Sequence, residues 1–121
     1  MGTNMETNPY LEKLWTYPAN RDDLIGSLKV LINNHDLITD ELIQSRLNVL
    51  EAPGYREYFD KVFSGPKSEL IASTILSKEE LGAISCPVSI IHGLNDLAFP
   101  QEQTAALLSR SLLQADLHLL A

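Results

Sequence analysis

The stretch that most constrains the fold is the apolar run CPVSIIHG, residues 86–93. It is bounded by Pro87 and Gly93, and it has the nearly continuous apolar character of a strand buried in a parallel sheet. Next, PQEQTAALLSRSL predicts a helix with Pro100 in its first turn, and ADLHLLA predicts a second strand. A strand, a helix and a strand in so short a segment form a βαβ unit, whose strands run parallel. Those two strands need cover on both faces, so the segment resembles a piece of a larger α/β domain.

The segment before this unit is predicted to be helical. From residue 8 to about residue 76 the apolar residues recur at helical spacing, without an alternating run. Four helices are predicted there, and a capping-box pair, Ser77 and Glu80, predicts a further short helix over residues 78–83. The predicted boundaries are Pro18 after the first helix, Asn20 and Thr39 as N-caps of the second and third, and Gly54 and Gly65-Pro66 around the fourth.

Composition narrows the class of protein. The chain has 121 residues, of which 45% are hydrophobic, as expected for a packed globule. Its formal net charge of -7 repels phosphates and anionic surfaces, so neither a nucleic acid nor a membrane is an expected partner. The N-terminus lacks the features of a signal peptide, and no apolar run approaches the roughly 20 residues that span a bilayer. Cys86 is the single cysteine, expected to be a small buried hydrophobe, and we predict a cytoplasmic protein.

Asp96 is the first candidate functional residue. It follows the predicted strand 86–93, and in open α/β sheets functional groups gather at the carboxyl ends of parallel strands. It could equally be a solvated turn residue, because Asn95 and Asp96 are both good turn formers. The residues alone leave both interpretations open.

Arg46 is the second candidate. On the predicted helix 39–50 it lies within the apolar stripe of Leu42, Ile43, Leu47 and Leu50. Either its methylenes pack while the charge reaches water or an acidic neighbour, or the guanidinium waits in a cleft for an anionic ligand such as a carboxylate.

Other chemistries have no matching motif. The three histidines, His35, His92 and His118, have no metal-ligand spacing, and no glycine pattern forms a phosphate loop, so neither a metal nor a cofactor is expected. None of the ten serines lies in G-x-S-x-G, the strand-to-helix elbow of serine hydrolases. The chain therefore offers a candidate acid and no candidate nucleophile.

Two stretches carry a resemblance to a known family. CPVSIIHGLNDLAFP, with the helix and strand after it, resembles the C-terminal part of an α/β-hydrolase, whose triad acid lies in a pattern of the type HG-x-x-D-x-x-x-P. HDLITDELIQSR and LGAISCPVSIIHG resemble the lid and lid-to-core junction of the meta-cleavage-product hydrolases, and MGTN resembles the end of the strand that leads into that lid. These enzymes hydrolyse a carbon–carbon bond in 2-hydroxy-6-oxohexa-2,4-dienoates made by ring-cleaving dioxygenases.

The resemblance implies a domain organisation and a set of roles. Residues 1–76 would be the helical lid, and residues 77–121 would be late core, truncated about four residues before the triad histidine. Asp96 matches the triad acid, and Arg46 matches the lid arginine that holds the carboxylate and enol end of the dienoate. Leu31, Ala98 and Phe99 match positions that line the pocket for the variable group of the substrate. The small Ala98 leaves open which acyl substituent fits.

These implications lead to an expectation and two alternatives. The isolated chain is expected to be inactive, because the serine elbow, oxyanion hole and base would lie on other sequence. The first alternative is another α/β-hydrolase, of the esterase or haloalkane dehalogenase type. The second is a non-enzymatic helical binding module. Whether the parent enzyme is a homo-oligomer is left open by the sequence.

Overall fold

A computed structural model describes residues 5–121, so the MGTN segment, which resembles the end of a core strand, lies outside the described residues. Within this range a helical half precedes two strands joined by a helix, which confirms the predicted order. The elements are α1 (Pro9–Leu14), α2 (Arg21–Leu31), a 3-10 turn (His35–Leu37), α3 (Asp40–Leu50), α4 (Tyr55–Val62), α5 (Lys67–Ala72), α6 (Lys78–Gly82), β1 (Val88–Gly93), α7 (Ala105–Ser111) and β2 (Ala115–Leu120). Helix α5 was not predicted individually.

Side-chain caps determine where several helices begin. Asn20 accepts a hydrogen bond from the N–H of Asp23 at the start of α2, and Thr39 accepts one from Leu42 at the start of α3. Ser77 and Glu80 form the complete capping box predicted for α6. At the start of α4, Gly54 has a φ of 78°, a left-handed conformation that favours glycine. All of these boundaries agree with the sequence-based expectations.

Two clusters of buried apolar side chains join parts of the described chain. One joins α2 to α3 through Leu24, Leu28 and Ile43. The other consists of Met5, Leu11, Ile71 and Ala98. The second cluster packs the loop after β1, which contains Asp96 and Ala98, against the helical half, to which Met5, Leu11 and Ile71 belong.

The two strands pair in parallel, as predicted. Their register runs from Val88 opposite Ala115 to Gly93 opposite Leu120. Strand β1 alternates between half-buried and exposed residues, and Ile91 is 68% exposed. Residues 5–121 therefore cover one face of the sheet and leave apolar side chains on the other.

Two sequence-based expectations were wrong. The helix predicted to have Pro100 in its first turn begins at Ala105, because the backbone of Thr104, with φ -126° and ψ -89°, lies outside the helical region. The N–H of Ala106 donates to the Gln101 carbonyl at 2.8 Å, so residues 101–104 form turns instead of a helical turn. Cys86, expected to be buried, is exposed. Among residues 5–121, no helix is long and apolar enough to cross a membrane.

Candidate active site

The loop after β1 holds Asp96 by one of its two carboxylate oxygens. Oδ1 accepts hydrogen bonds from the backbone N–H groups of Ala98, at 3.0 Å, and Phe99, at 2.8 Å. Within residues 5–121, Oδ2 has no hydrogen-bond partner, and the side chain is 33% exposed. Asp96 is therefore a turn former through one oxygen, while the other oxygen is free to accept a hydrogen bond. The turn interpretation and the functional interpretation are compatible.

His92 lies beside this carboxylate without being bonded to it. Its Nε2 is 3.8 Å from Asp96 Oδ2 but only 2.7 Å from the Phe99 carbonyl oxygen. Because a carbonyl oxygen can only accept, Nε2 must carry the proton and donate it to Phe99. His92 is thus committed to the loop backbone, as expected for a histidine with a structural role.

A cleft of about 240 Å³ opens beside Asp96. Its walls come from the end of α2, including Leu31, and from the carboxyl ends of both strands, including Gly93 and Leu120. Asp96 thus lies where open parallel sheets place functional groups.

Arg46 lines a second, larger cavity of about 380 Å³ among the first four helices. The other lining residues are uncharged and mostly apolar, among them Leu28, Leu42 and Phe59. Arg46 is exposed, and within residues 5–121 its guanidinium makes no ion pair or hydrogen bond. A guanidinium without a partner at an apolar cavity can bind a carboxylate through two parallel hydrogen bonds.

Leu31 lines both the Arg46 cavity and the Asp96 cleft. Its side chain is 63% exposed, as expected for a residue that forms the wall between two openings instead of belonging to the core. Leu31 is thus the residue shared by the opening that Arg46 lines and the one that Asp96 lines.

Ala98 and Phe99 lie elsewhere. Ala98 is 1% exposed and packs in the cluster with Leu11 and Ile71. Phe99 lines a separate pocket of about 230 Å³ with His92 and Thr104. Neither residue lines the Arg46 cavity or the Asp96 cleft.

Sequence reasoning missed one residue of this region. Asn8 caps α1 and also donates its Nδ2–H to the Ala98 carbonyl at 3.0 Å, across 90 residues of sequence. The Asn-Pro start of α1 indicates the cap, but no sequence signal indicates the distant partner. In residues 5–121, no three His, Cys, Asp or Glu side chains are close enough to hold a metal ion together.

The chain is similar to curated hydrolases. No protein-family model matches the chain. The 2-hydroxy-6-oxo-2,4-heptadienoate hydrolase of Pseudomonas putida is 24% identical over 107 residues, which is 88% of this chain and 39% of the relative. The 2-hydroxymuconate semialdehyde hydrolase of Pseudomonas sp. (strain CF600) is 24% identical over 117 residues, which is 97% of this chain and 41% of the relative. The chain thus spans about two fifths of the length of these curated relatives.

Two solved structures of hydrolases also resemble the chain. The meta-cleavage product hydrolase CumD from Pseudomonas fluorescens IP01 superposes with a TM-score of 0.91 at 26% identity, over 98% of this chain and 43% of that one. A serine hydrolase from Cycloclasticus zankles superposes with a TM-score of 0.88 over 98% of this chain and 44% of that one; at 22% identity it supports the fold alone. The chain therefore has the fold of the matching part of an α/β-hydrolase, a set of helices followed by two parallel strands. Among α/β-hydrolases, it resembles the meta-cleavage product hydrolases.

Proposed function

We propose that the chain supplies the lid, residues 1–76, and late core, residues 77–121, of a hydrolase that cleaves a carbon–carbon bond in 2-hydroxy-6-oxohexa-2,4-dienoates. The names of the relatives support this substrate class, since they describe hydrolases of a heptadienoate and of a muconate semialdehyde. The observation that carries the proposal is the state of Asp96. One oxygen is fixed by two backbone N–H groups, and the other is free, at the carboxyl ends of two parallel strands.

In this proposal Asp96 is the triad acid. Its free Oδ2 would accept the Nδ1–H of a catalytic histidine, set the orientation of that ring and stabilise its cationic form. His92 cannot be that histidine while it donates to Phe99. The resemblance to the α/β-hydrolases assigns the base to the loop after the next strand, on other sequence. The nucleophilic serine and the oxyanion hole would likewise lie on other sequence.

Arg46 would bind the carboxylate and enol end of the dienoate. Among residues 5–121, no other charged residue lines the cavity, so no carboxylate of the lining competes for the guanidinium. Leu31, between this cavity and the Asp96 cleft, would contact the carbon chain that links the carboxylate to the bond that breaks. Ala98 and Phe99 remain predicted pocket residues. Any contact they make with substrate would require surfaces outside the two openings described.

Ketonisation of the enol makes the carbon–carbon bond breakable. The serine, or a water that it assists, would then attack the distal carbonyl, and the carbon–carbon bond would break with its electron pair leaving on the dienoate fragment, which takes up a proton. The acyl fragment would leave as a carboxylic acid, after water hydrolyses the ester if serine is the nucleophile. Among the residues described, Arg46 would bind both the enol substrate and its keto tautomer. Asp96 would act on the reaction through the histidine that it orients.

The test is a chimera in which residues 1–121 replace the matching segment of a meta-cleavage product hydrolase. We expect the chimera to hydrolyse a 2-hydroxy-6-oxohexa-2,4-dienoate, and the separate 121-residue chain to show no turnover. Dienoate hydrolysis by the separate chain, abolished by Asp96→Ala, would contradict the expected inactivity. A folded chimera that hydrolyses simple esters but no dienoate would instead favour an esterase-type enzyme.

A further inference from the structure

Ala98 and Phe99, whose N–H groups donate to Asp96, each accept a side-chain hydrogen bond at the carbonyl group. The Ala98 carbonyl accepts from Asn8 Nδ2 at 3.0 Å, and the Phe99 carbonyl accepts from His92 Nε2 at 2.7 Å. Ala98 and Phe99 are therefore each held twice. The N–H group of each donates to Asp96 Oδ1, and the carbonyl group of each accepts from Asn8 or His92.

Asn8 uses both ends of its amide. Its Oδ1 accepts from the N–H groups of Tyr10 and Leu11, which caps α1, and its Nδ2 reaches the Ala98 carbonyl. This bond joins the first helix of the chain to the loop after β1. Ala98 is 1% exposed and Leu11 is fully buried in the same cluster, so the bond is reinforced by apolar packing.

His92 provides the second connection, from within β1. Its side chain is 17% exposed, so water competes weakly for its short bond to Phe99. Thr104 adds a weaker contact to the same carbonyl at 3.4 Å.

We propose that Asn8 and His92 are positioning residues for Asp96. They fix the backbone of residues 98 and 99, these residues fix Oδ1, and the direction of the free Oδ2 follows from that. The inference rests on the proposed role of Asp96 as triad acid. It adds that one residue of the lid segment and one strand histidine set the geometry of that acid.

The chain offers matched variants for each bond. Asn8→Ser retains a capping oxygen but is too short to reach Ala98, and Asn8→Asp retains the cap while replacing the donor by an acceptor. Asn20→Ser is the control, since Asn20 caps α2 in the same way and lies outside the Asp96 loop. His92→Leu removes the donor, whereas His92→Gln keeps an N–H at similar reach.

Two measurements test the proposal. The first is hydrogen exchange at the Ala98 and Phe99 amides in the 121-residue chain, which needs no activity. Asn8→Ser and His92→Leu should accelerate this exchange by about tenfold, the effect of one lost hydrogen bond, with no change in Asn20→Ser or His92→Gln. The second is dienoate turnover by the chimera, in which the first two variants should lower kcat about tenfold and leave KM within about twofold.

Unchanged exchange in both Asn8→Ser and Asn8→Asp would overturn the role of Asn8, and unchanged exchange in His92→Leu would overturn that of His92. Faster exchange with unchanged kcat would overturn the positioning role while leaving the hydrogen bonds in place. If Asp96→Asn itself leaves turnover unchanged, the proposed function fails, and the exchange measurement still decides whether the two bonds fix the loop.

Discussion

His92 Nε2 lies 3.8 Å from Asp96 Oδ2, and the two side chains are nevertheless not hydrogen-bonded to each other. The imidazole donates instead to the Phe99 carbonyl, and the carboxylate accepts instead from the Phe99 N–H. Both side chains thus fix the same residue, Phe99, through opposite ends of its backbone. The consequence is a carboxylate with one oxygen committed to its own loop and one oxygen available to a partner.

Substitutions of Asp96 separate the role of Oδ1, which binds the loop backbone, from the role of Oδ2, which would accept from a catalytic histidine. Asp96→Asn retains the oxygen that accepts from Ala98 and Phe99 but cannot stabilise a histidine cation, so kcat of the chimera should fall by about 10³-fold or more. Asp96→Ala should lower kcat by at least as much and also accelerate amide exchange at residues 98 and 99. Steady-state kinetics and hydrogen exchange check the pair. A substantial kcat in Asp96→Asn would show that the charge is not needed.

Arg46→Gln should weaken binding of the dienoate. Loss of hydrogen bonds to a charged carboxylate should raise KM by about ten- to a hundredfold, with little effect on the hydrolysis of an uncharged ester. Arg110→Gln is the control, because Arg110 lies in the last turn of α7 and lines neither the Arg46 cavity nor the Asp96 cleft. Equal losses on dienoate and ester would contradict a carboxylate-binding role.

Two leucines on α2 should differ in their contribution to stability. Leu28 is 5% exposed and packs against Leu24 and Ile43, so Leu28→Ala should lower the free energy of unfolding by about 2–4 kcal/mol. Leu31 is 63% exposed, so Leu31→Ala should change it by less than about 0.5 kcal/mol. Urea denaturation of the chain measures both. Similar losses from the two variants would show that α2 packs through a different face.

The capping box of α6 predicts a pH dependence. Hydrogen bonds from the backbone N–H and side chain of Ser77 lower the pKa of Glu80 below its ordinary value of 4.5. A lowered pKa means that the ionised carboxylate stabilises the fold above that value, and that this contribution is lost as the pH falls through the folded pKa. The difference in unfolding free energy between the wild type and Glu80→Gln should therefore favour the wild type near pH 7 and shrink at about pH 3. A difference independent of pH would contradict the charge effect.

Much of the fold was predictable, because it depends on short-range patterns. The caps at Asn20, Thr39 and Ser77 each bond to an N–H three residues ahead, so the interaction is contained in the sequence spacing. The βαβ unit was also predictable, since a strand, a helix and a strand in one short segment favour parallel pairing. Asp96 was identifiable as a candidate because its position follows directly from the end of β1.

What the tertiary structure decided is the set of contacts between elements far apart in sequence. The bond from Asn8 to Ala98 spans 90 residues and depends on how α1, α5 and the loop after β1 pack together. The same packing places Ala98 in the core and lets Leu31 line both the Arg46 cavity and the Asp96 cleft. Short-range sequence patterns, which are apolar periodicity, capping residues and position after a strand, therefore predicted most of the elements and made Asp96 and Arg46 candidates. Which residues surround Asp96 and Arg46 was decided by tertiary packing. Buried side chains fill the interior at high density, so each one excludes others from the same space.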